Sequence, residues 1–170
     1  MTTCLIVAAD DADVIGRADD LPWHLPSDLR RFKELTTGHV MVAGRRTHRS
    51  IVDRLGHALP GRCTVVVTSQ PQRLSPLDGV VPQPDVESAL HAARTIAAFA
   101  GDKQMFVIGG AEVYRQALPH VERIYLTRVH DRVAGDKAMP AGWLAGFQLV
   151  TEERVLGDAL PYSFQTYERP

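Results

Sequence analysis

Residues 105–114, Met105-Phe106-Val107-Ile108-Gly109-Gly110-Ala111-Glu112-Val113-Tyr114, join a short apolar run, a Gly-Gly pair and the start of an amphipathic stretch. An apolar run without alternation belongs to a strand covered on both faces, so the stretch reads as buried strand, tight turn and helix. The same order recurs upstream. Residues 4–9, 40–43 and 64–67 are apolar runs closed by polar or glycine punctuation, and helical spacing fills 26–35, 47–55, 86–99 and 111–118. Strand alternating with helix predicts a parallel sheet. After Pro119 the pattern changes to residues 124–129, 147–155 and 162–167, strand-like with no helix between them. The expectation is an α/β fold: one domain over residues 1–170, with a central, mostly parallel twisted sheet of about eight strands, an antiparallel C-terminal edge and helices on both faces.

A chain of 170 residues can bury one sizeable core and is short for two. The formal net charge is −1, and Lys and Arg are scattered without a basic stripe, which argues against nucleic acid as partner. Any anionic partner should be small. Cys4 and Cys63 both sit in strand-like runs and read as reduced core thiols, which fits a cytoplasmic protein. No apolar stretch approaches the roughly 18 residues of a membrane span, and no leader is expected. The histidines show no metal-ligand spacing, so no metal is expected.

The chemistry starts at Leu21-Pro22-Trp23-His24-Leu25-Pro26-Ser27-Asp28. With Pro26 in the first turn, Asp28, Phe32 and Leu35 recur at i, i+4 and i+7, with Leu29 beside them on the inward stripe. A carboxylate facing inward with no cation next to it in sequence resists ionisation, so its pKa rises toward neutrality and it can hold or pass a proton. Taken alone, Asp28 reads first as a first-turn acid complementing the helix dipole.

Three strand ends are furnished for an anion. Gly44-Arg45-Arg46-Thr47 puts free backbone N–H groups and two guanidinium groups at a helix start, which suits a phosphate, although a solvated basic turn has the same sequence. Thr68 and Ser69 offer hydroxyls at a second strand end, and Gly109-Gly110 permits close backbone approach at a third. Together they describe the crevice in which such sheets bind nucleotides, though neither a full dinucleotide fingerprint nor a P-loop occurs.

Val14-Ile15-Gly16, the run from Leu21 to Lys33, Gly44-Arg45-Arg46-Thr47, Leu59-Pro60-Gly61-Arg62, Ile108 to Tyr114 and Tyr125-Leu126-Thr127 resemble bacterial-type dihydrofolate reductase, in order and over nearly the whole chain. The resemblance implies hydride transfer from NADPH to 7,8-dihydrofolate, giving tetrahydrofolate for one-carbon metabolism. It implies that Asp28 and Thr127 hold the pterin and that Trp23 holds a water beside Asp28. Ile6, Leu29, Phe32, Ile51 and Ile108 would wall the substrate slot, with the carbonyls of Ile6 and Ile108 facing the ring. Arg62 would grip the glutamate carboxylate, as a planar fork can. On the cofactor side the resemblance implies Ala8, Ile15, Gly16, Gly44, Arg45, Arg46, Thr47, Thr68, Ser69, Gly109, Gly110, Ala111, Glu112, Val113 and Tyr114. Arg45, Arg46 and Ser69 would surround the 2′-phosphate, and residues 14–23 would form a lid. Antifolate inhibitors are implied as ligands, and a monomer as the working state.

Some positions depart from that pattern. Lys137 and Ala138 stand in the Gly135-Asp136 turn where the family carries Thr and an aromatic, which bears on lid coupling. Glu112 brings a negative charge toward the expected diphosphate, and His24 and His48 change the pocket edge. Two alternatives share much of the site: the NADPH-dependent pyrimidine reductase of riboflavin synthesis, which has no need of an inward Asp28, and a pterin- or nucleotide-binding protein without turnover.

Overall fold

The apolar runs do become strands of one sheet. The computed structural model describes residues 1–16, 23–156 and 158–170. In chain order the elements are β1 (Thr2–Asp10), β2 (Val14–Gly16), α1 (Pro26–Thr36), β3 (Val40–Gly44), α2 (Arg45–Leu55), β4 (Thr64–Val67), β5 (Val80–Gln83), α3 (Val86–Phe99), β6 (Gln104–Gly109), α4 (Ala111–Ala117), β7 (Arg123–Val129), β8 (Lys137–Ala138), β9 (Gln148–Val155) and β10 (Tyr162–Glu168). Eight strands lie in the order β5-β4-β3-β6-β1-β7-β10-β9, while β2 and β8 form a separate two-stranded piece. The pairings from β5 to β7 are parallel; β10 runs antiparallel to β7 and to β9, as expected for the C-terminal edge.

Strand alternation sorts the core into two layers. Leu5, Val7, Val40, Val42, Met105 and Val107 face α3 and α4, packing with Ala89, Ala93, Ala97 and Val113. Their neighbours Cys4, Met41, Ala43, Phe106 and Ile108 face the other way, with Ile6, Phe32, Leu35 and Ile51 against them. Helices α1 and α2 therefore cover one face and α3 and α4 the other. The small residues of α3 let it lie close on the sheet, and a bulkier side chain at Ala93, which is fully buried, would force the layers apart at a cost of about 1–3 kcal/mol.

Three elements differ from expectation. Strand β5 carries Pro82, which cannot donate to a ladder, and it is tolerated here because β5 is the sheet edge. Helix α2 begins at Arg45 rather than Thr47, so both arginines belong to its first turn. The β2–β8 pair is too short to show any periodicity. Val14 pairs with Ala138 and Gly16 with Lys137, and the N–H groups of Asp136 and Met139 donate to the carbonyls of Gly16 and Asp13 at 3.1 and 2.9 Å. This coupling runs through backbone atoms, so Lys137 and Ala138 do not prevent it. Gly135 is needed beside it, since a Cβ there would come within 2.6 Å of the Gly16 carbonyl oxygen. Of the expected lid, residues 17–22 lie outside the described residues.

Candidate active site

Pro26 fixes the first turn of α1, and Leu25, 2% exposed, plugs the core just before it. Asp28 then points at β7. The Thr127 hydroxyl donates to Asp28 Oδ1 at 2.5 Å. No side chain caps this helix from the Leu25 position; instead Asp158, in the β9–β10 connection, accepts from the backbone N–H of Ser27 at 3.3 Å. Asp28 is thus committed across the cleft rather than to its own helix end. Burial pushes its pKa above the usual carboxylate range, opposed by the Thr127 hydrogen bond and, more weakly, by the charge of Arg31. Although no cation adjoins Asp28 in sequence, Arg31, one turn along α1, acts on the acid through space.

Sheet register explains the meeting of α1 and β7. Ile6 lies beside Tyr125 and Ala8 beside Thr127, which puts Thr127 on the α1–α2 face, at the carboxyl end of the parallel strands. Ile6, Phe32, Ile51 and Ile108 share that face. Leu29 is corrected: at 48% exposure it stands at the mouth of the recess instead of on the inward stripe, since one residue of helix turns it about 100° from Asp28. The recess itself is lined by Trp23, His24, Leu25, Asp28, Leu29 and Arg54. Arg54 escaped the sequence reading, although Thr47, Ile51 and Arg54 at i, i+4 and i+7 put it on one side of α2, where it is exposed and borders the recess. The indole N–H of Trp23 is buried with no partner among the described residues, and so is available to a water or ligand. Arg62, 9% exposed, is not the free loop arginine that its neighbours Pro60 and Gly61 suggest. It donates to the carbonyl of Pro60 at 2.9 Å and to the Thr36 hydroxyl at 3.2 Å, and burial lowers its pKa. These oxygens are neutral, so the charge still favours an anion.

Across the sheet, Gly44, Thr47, Gly109 and Gly110 crowd together because β3 and β6 are neighbours, with Ala43 in register with Gly109. A Cβ at Gly44 would lie 3.2 Å from Val113 Cγ2, and one at Gly110 would lie 3.3 Å from Thr47 Oγ1. Glycine keeps this floor open. The peptide bond between Gly109 and Gly110 is cis, and Gly109 has φ +125°, a conformation that side chains resist. Arg45 and Arg46 follow at the start of α2, whose first turn holds no acid, with Arg46 exposed. Ser69 is exposed, whereas Thr68 is buried and its hydroxyl accepts from the Gln70 N–H at 3.1 Å. Ile15 and Gly16 are buried in β2. Ala111 and Val113 belong to the first turn of α4.

Glu112 points away from trouble: Arg115 donates to both its oxygens, at 2.5 and 3.0 Å, and Gln116 adds a bond at 2.6 Å. These partners hold its pKa down to about 2. Tyr114, 5% exposed, sends its hydroxyl between two strands, with the carbonyls of Ile6 and Ile108 at 2.7 and 2.9 Å. One phenol proton is shared between those two carbonyls, and each keeps a lone pair for another donor. His48 is 5% exposed and burial lowers its pKa, favouring a neutral imidazole at the start of α2. Among the described residues no cluster of three or more His, Cys, Asp or Glu could hold a metal, and no helix is long and apolar enough to cross a membrane.

Known proteins resemble this chain over nearly its whole length. Residues 2–169 match the family described as dihydrofolate reductase. The chain belongs to this family. It is 38% identical to the dihydrofolate reductase of Bacillus subtilis (strain 168) over 167 residues, covering 96% of this chain and 92% of that one. It is 40% identical to dihydrofolate reductase HdrB of Haloferax volcanii over 165 residues, 97% and 82% of the two chains. Among solved structures, the Enterococcus faecalis dihydrofolate reductase complexed with NADP(H) and RAB-propyl superposes with a TM-score of 0.82 at 30% identity, covering 99% of this chain and 96% of that one.

Proposed function

We infer that this chain is an NADPH-dependent dihydrofolate reductase, moving hydride from NADPH to C6 of 7,8-dihydrofolate while a proton reaches N5. The products are tetrahydrofolate and NADP⁺. The observation that carries this reading is Asp28, half-buried, raised in pKa, lining a recess with Trp23 and Leu29, and anchored by Thr127 of β7.

NADPH supplies the hydride; the chain supplies position and the proton environment. The residues present suit its phosphates: the floor at Gly44, Gly109 and Gly110 is one that a Cβ would fill, and Arg45 and Arg46 bring positive charge to the start of α2. Ser69 and Thr68 stand at the adjacent strand end. Ala8, Ile15, Gly16, Thr47, Ala111, Glu112, Val113 and Tyr114 complete this side by position, with the Glu112 charge turned onto Arg115. On the substrate side Asp28 accepts from the pterin amino group and ring, Thr127 steadies that carboxylate, and Trp23 offers its free N–H to a water beside it. Leu29 covers the ring from the mouth, while Arg62 meets the glutamate carboxylate. Burial raises the Asp28 pKa and so favours its protonated form, which is the state that protonation of N5 needs. Antifolate inhibitors would enter the same slot. The enzyme works as a monomer in a reducing cytoplasm, in keeping with its two free thiols.

Purified protein mixed with dihydrofolate and NADPH should consume NADPH absorbance one-for-one with tetrahydrofolate formation. Persistent NADPH with tight dihydrofolate binding would make it a binding protein, and no interaction with dihydrofolate would remove the reading altogether.

A further inference from the structure

Arg31 follows Asp28 by one helical turn and is only half-exposed, a costly place for a guanidinium without a paired carboxylate. It is held by rings. Its guanidinium carbon lies 4.2 Å from the centroid of Phe164 and 5.7 Å from that of Tyr125. Register ties this bracket to the acid: Phe164 of β10 sits beside Thr127 of β7, the residue that donates to Asp28, and Tyr125 is two residues earlier on the same face. Among the described residues the side-chain hydrogen bond acting on Asp28 comes from Thr127, and Arg31 acts on the carboxylate through its charge. A direct ion pair would depress an aspartate by about 1–3 units and cover the oxygens that must face a ligand. Cation–π contact with the two aromatic rings prevents that collapse.

We propose that Arg31, seated on Phe164 and Tyr125, is a positioning residue that lowers the upper pH limit of proton transfer through Asp28, by fixing a positive charge near the acid. The proposal rests on the reductase reading above. The charged and titratable groups around the pair are few. Arg31 faces Asp28 on its own helix, Tyr125 on β7 and Glu153 on β9, the last in register with Phe164. Asp28 faces Thr127, and its charge is felt by Tyr114 on α4 and Tyr162 on β10, while Arg54 and His24 line the same recess. Glu153 partly offsets Arg31, so its removal should act in the opposite sense.

Two measurements test this. The first is the pH dependence of single-turnover hydride transfer from bound NADPH to dihydrofolate. The second is direct titration of the Asp28 carboxyl by difference infrared spectroscopy in ligand-free protein, with Asp28→Asn assigning the band. Arg31→Met, which keeps the apolar stem, should move both the titration and the falling alkaline limb of the rate upward by about 0.5–1 pH unit. Arg31→Lys should restore most of the shift, and Glu153→Gln, an exposed change on β9, should move both slightly downward. An unmoved Asp28 titration in folded Arg31→Met overturns the proposal; should that variant fail to fold, an Asp28 titration in Glu153→Gln that stays at the wild-type value overturns it instead. If wild-type protein leaves dihydrofolate unreduced while the titration shifts, the reductase reading fails and the proton-transfer role goes with it. A working enzyme with unmoved titrations condemns only the inference about Arg31.

Discussion

The two sides of this cleft are made of different materials. Toward α1 and β7 the surface is set by side chains whose proton affinity is altered by burial: half-buried Asp28 and Arg31, and buried Arg62. Toward α2 and α4 it is set by backbone that side chains would obstruct, at Gly44, Gly109 and Gly110, with Arg46 exposed beside it. Low dielectric makes single charges count for more on the first side, while screening limits them on the second. Substitutions should therefore separate by side: large, pH-dependent effects at the acid, modest and salt-dependent ones around the cofactor.

The sharpest way to break this contrast is Asp28→Asn. Turnover at neutral pH should fall by about 10²–10⁴-fold, the range for a lost general acid, while NADPH affinity stays nearly constant. Stability should move the other way. Because the folded state holds this proton to higher pH than the unfolded chain, the native state is penalised as pH rises through the ordinary carboxylate range, and the penalty is complete above the folded value. Asn should thus raise the melting temperature at pH 8 and change it little at pH 3. Comparable loss of NADPH binding in calorimetry would mean that the two sides are not separable.

Tyr114 is the residue that joins them. It belongs to α4, yet its hydroxyl lies between the carbonyls of Ile6 and Ile108. Tyr114→Phe removes a buried donor and should cost about 1–3 kcal/mol in urea unfolding. Both ligands should bind more weakly, because β1 and β6 floor both halves of the cleft. A loss confined to NADPH would return Tyr114 to the cofactor side alone.

Much of this was legible in the chain because both faces of the central strands are covered: β1, β3, β4 and β6 each write an uninterrupted apolar run. Edge and lid elements left no such trace. Strand β5 contains a proline, and β2 and β8 are held by backbone bonds that any side chains permit. In the site, Asp28 and Thr127 could be paired through the family resemblance, but not by spacing, since they are brought together across 99 residues. Leu29 was misplaced because an apolar residue beside an inward one was taken to share its direction. Arg31 was passed over because its partners, Tyr125, Phe164 and Glu153, arrive only with the C-terminal strands.

On the cofactor side, Arg46→Gln should weaken NADPH by about tenfold while leaving NADH unchanged, as expected for one lost phosphate contact. The difference between wild type and variant should shrink as salt rises. Equal weakening of NADPH and NADH would place Arg46 on the shared diphosphate instead.

The smallest effect tests whether the negative charge of Glu112 reaches the bound cofactor at all. Its carboxylate is exposed and taken up by Arg115 and Gln116, with a pKa pushed down to about 2. A depressed acid contributes stability that is present above its ordinary range and is lost as pH falls through the folded value, so at neutrality the contribution is complete. Solvent screening keeps it small, and Glu112→Gln should cost less than about 0.5 kcal/mol in unfolding measurements at pH 7. NADPH affinity should not change. If Gln instead tightens NADPH in proportion to falling salt, the charge faces the diphosphate after all, and the cofactor side carries an electrostatic penalty that Arg115 fails to neutralise.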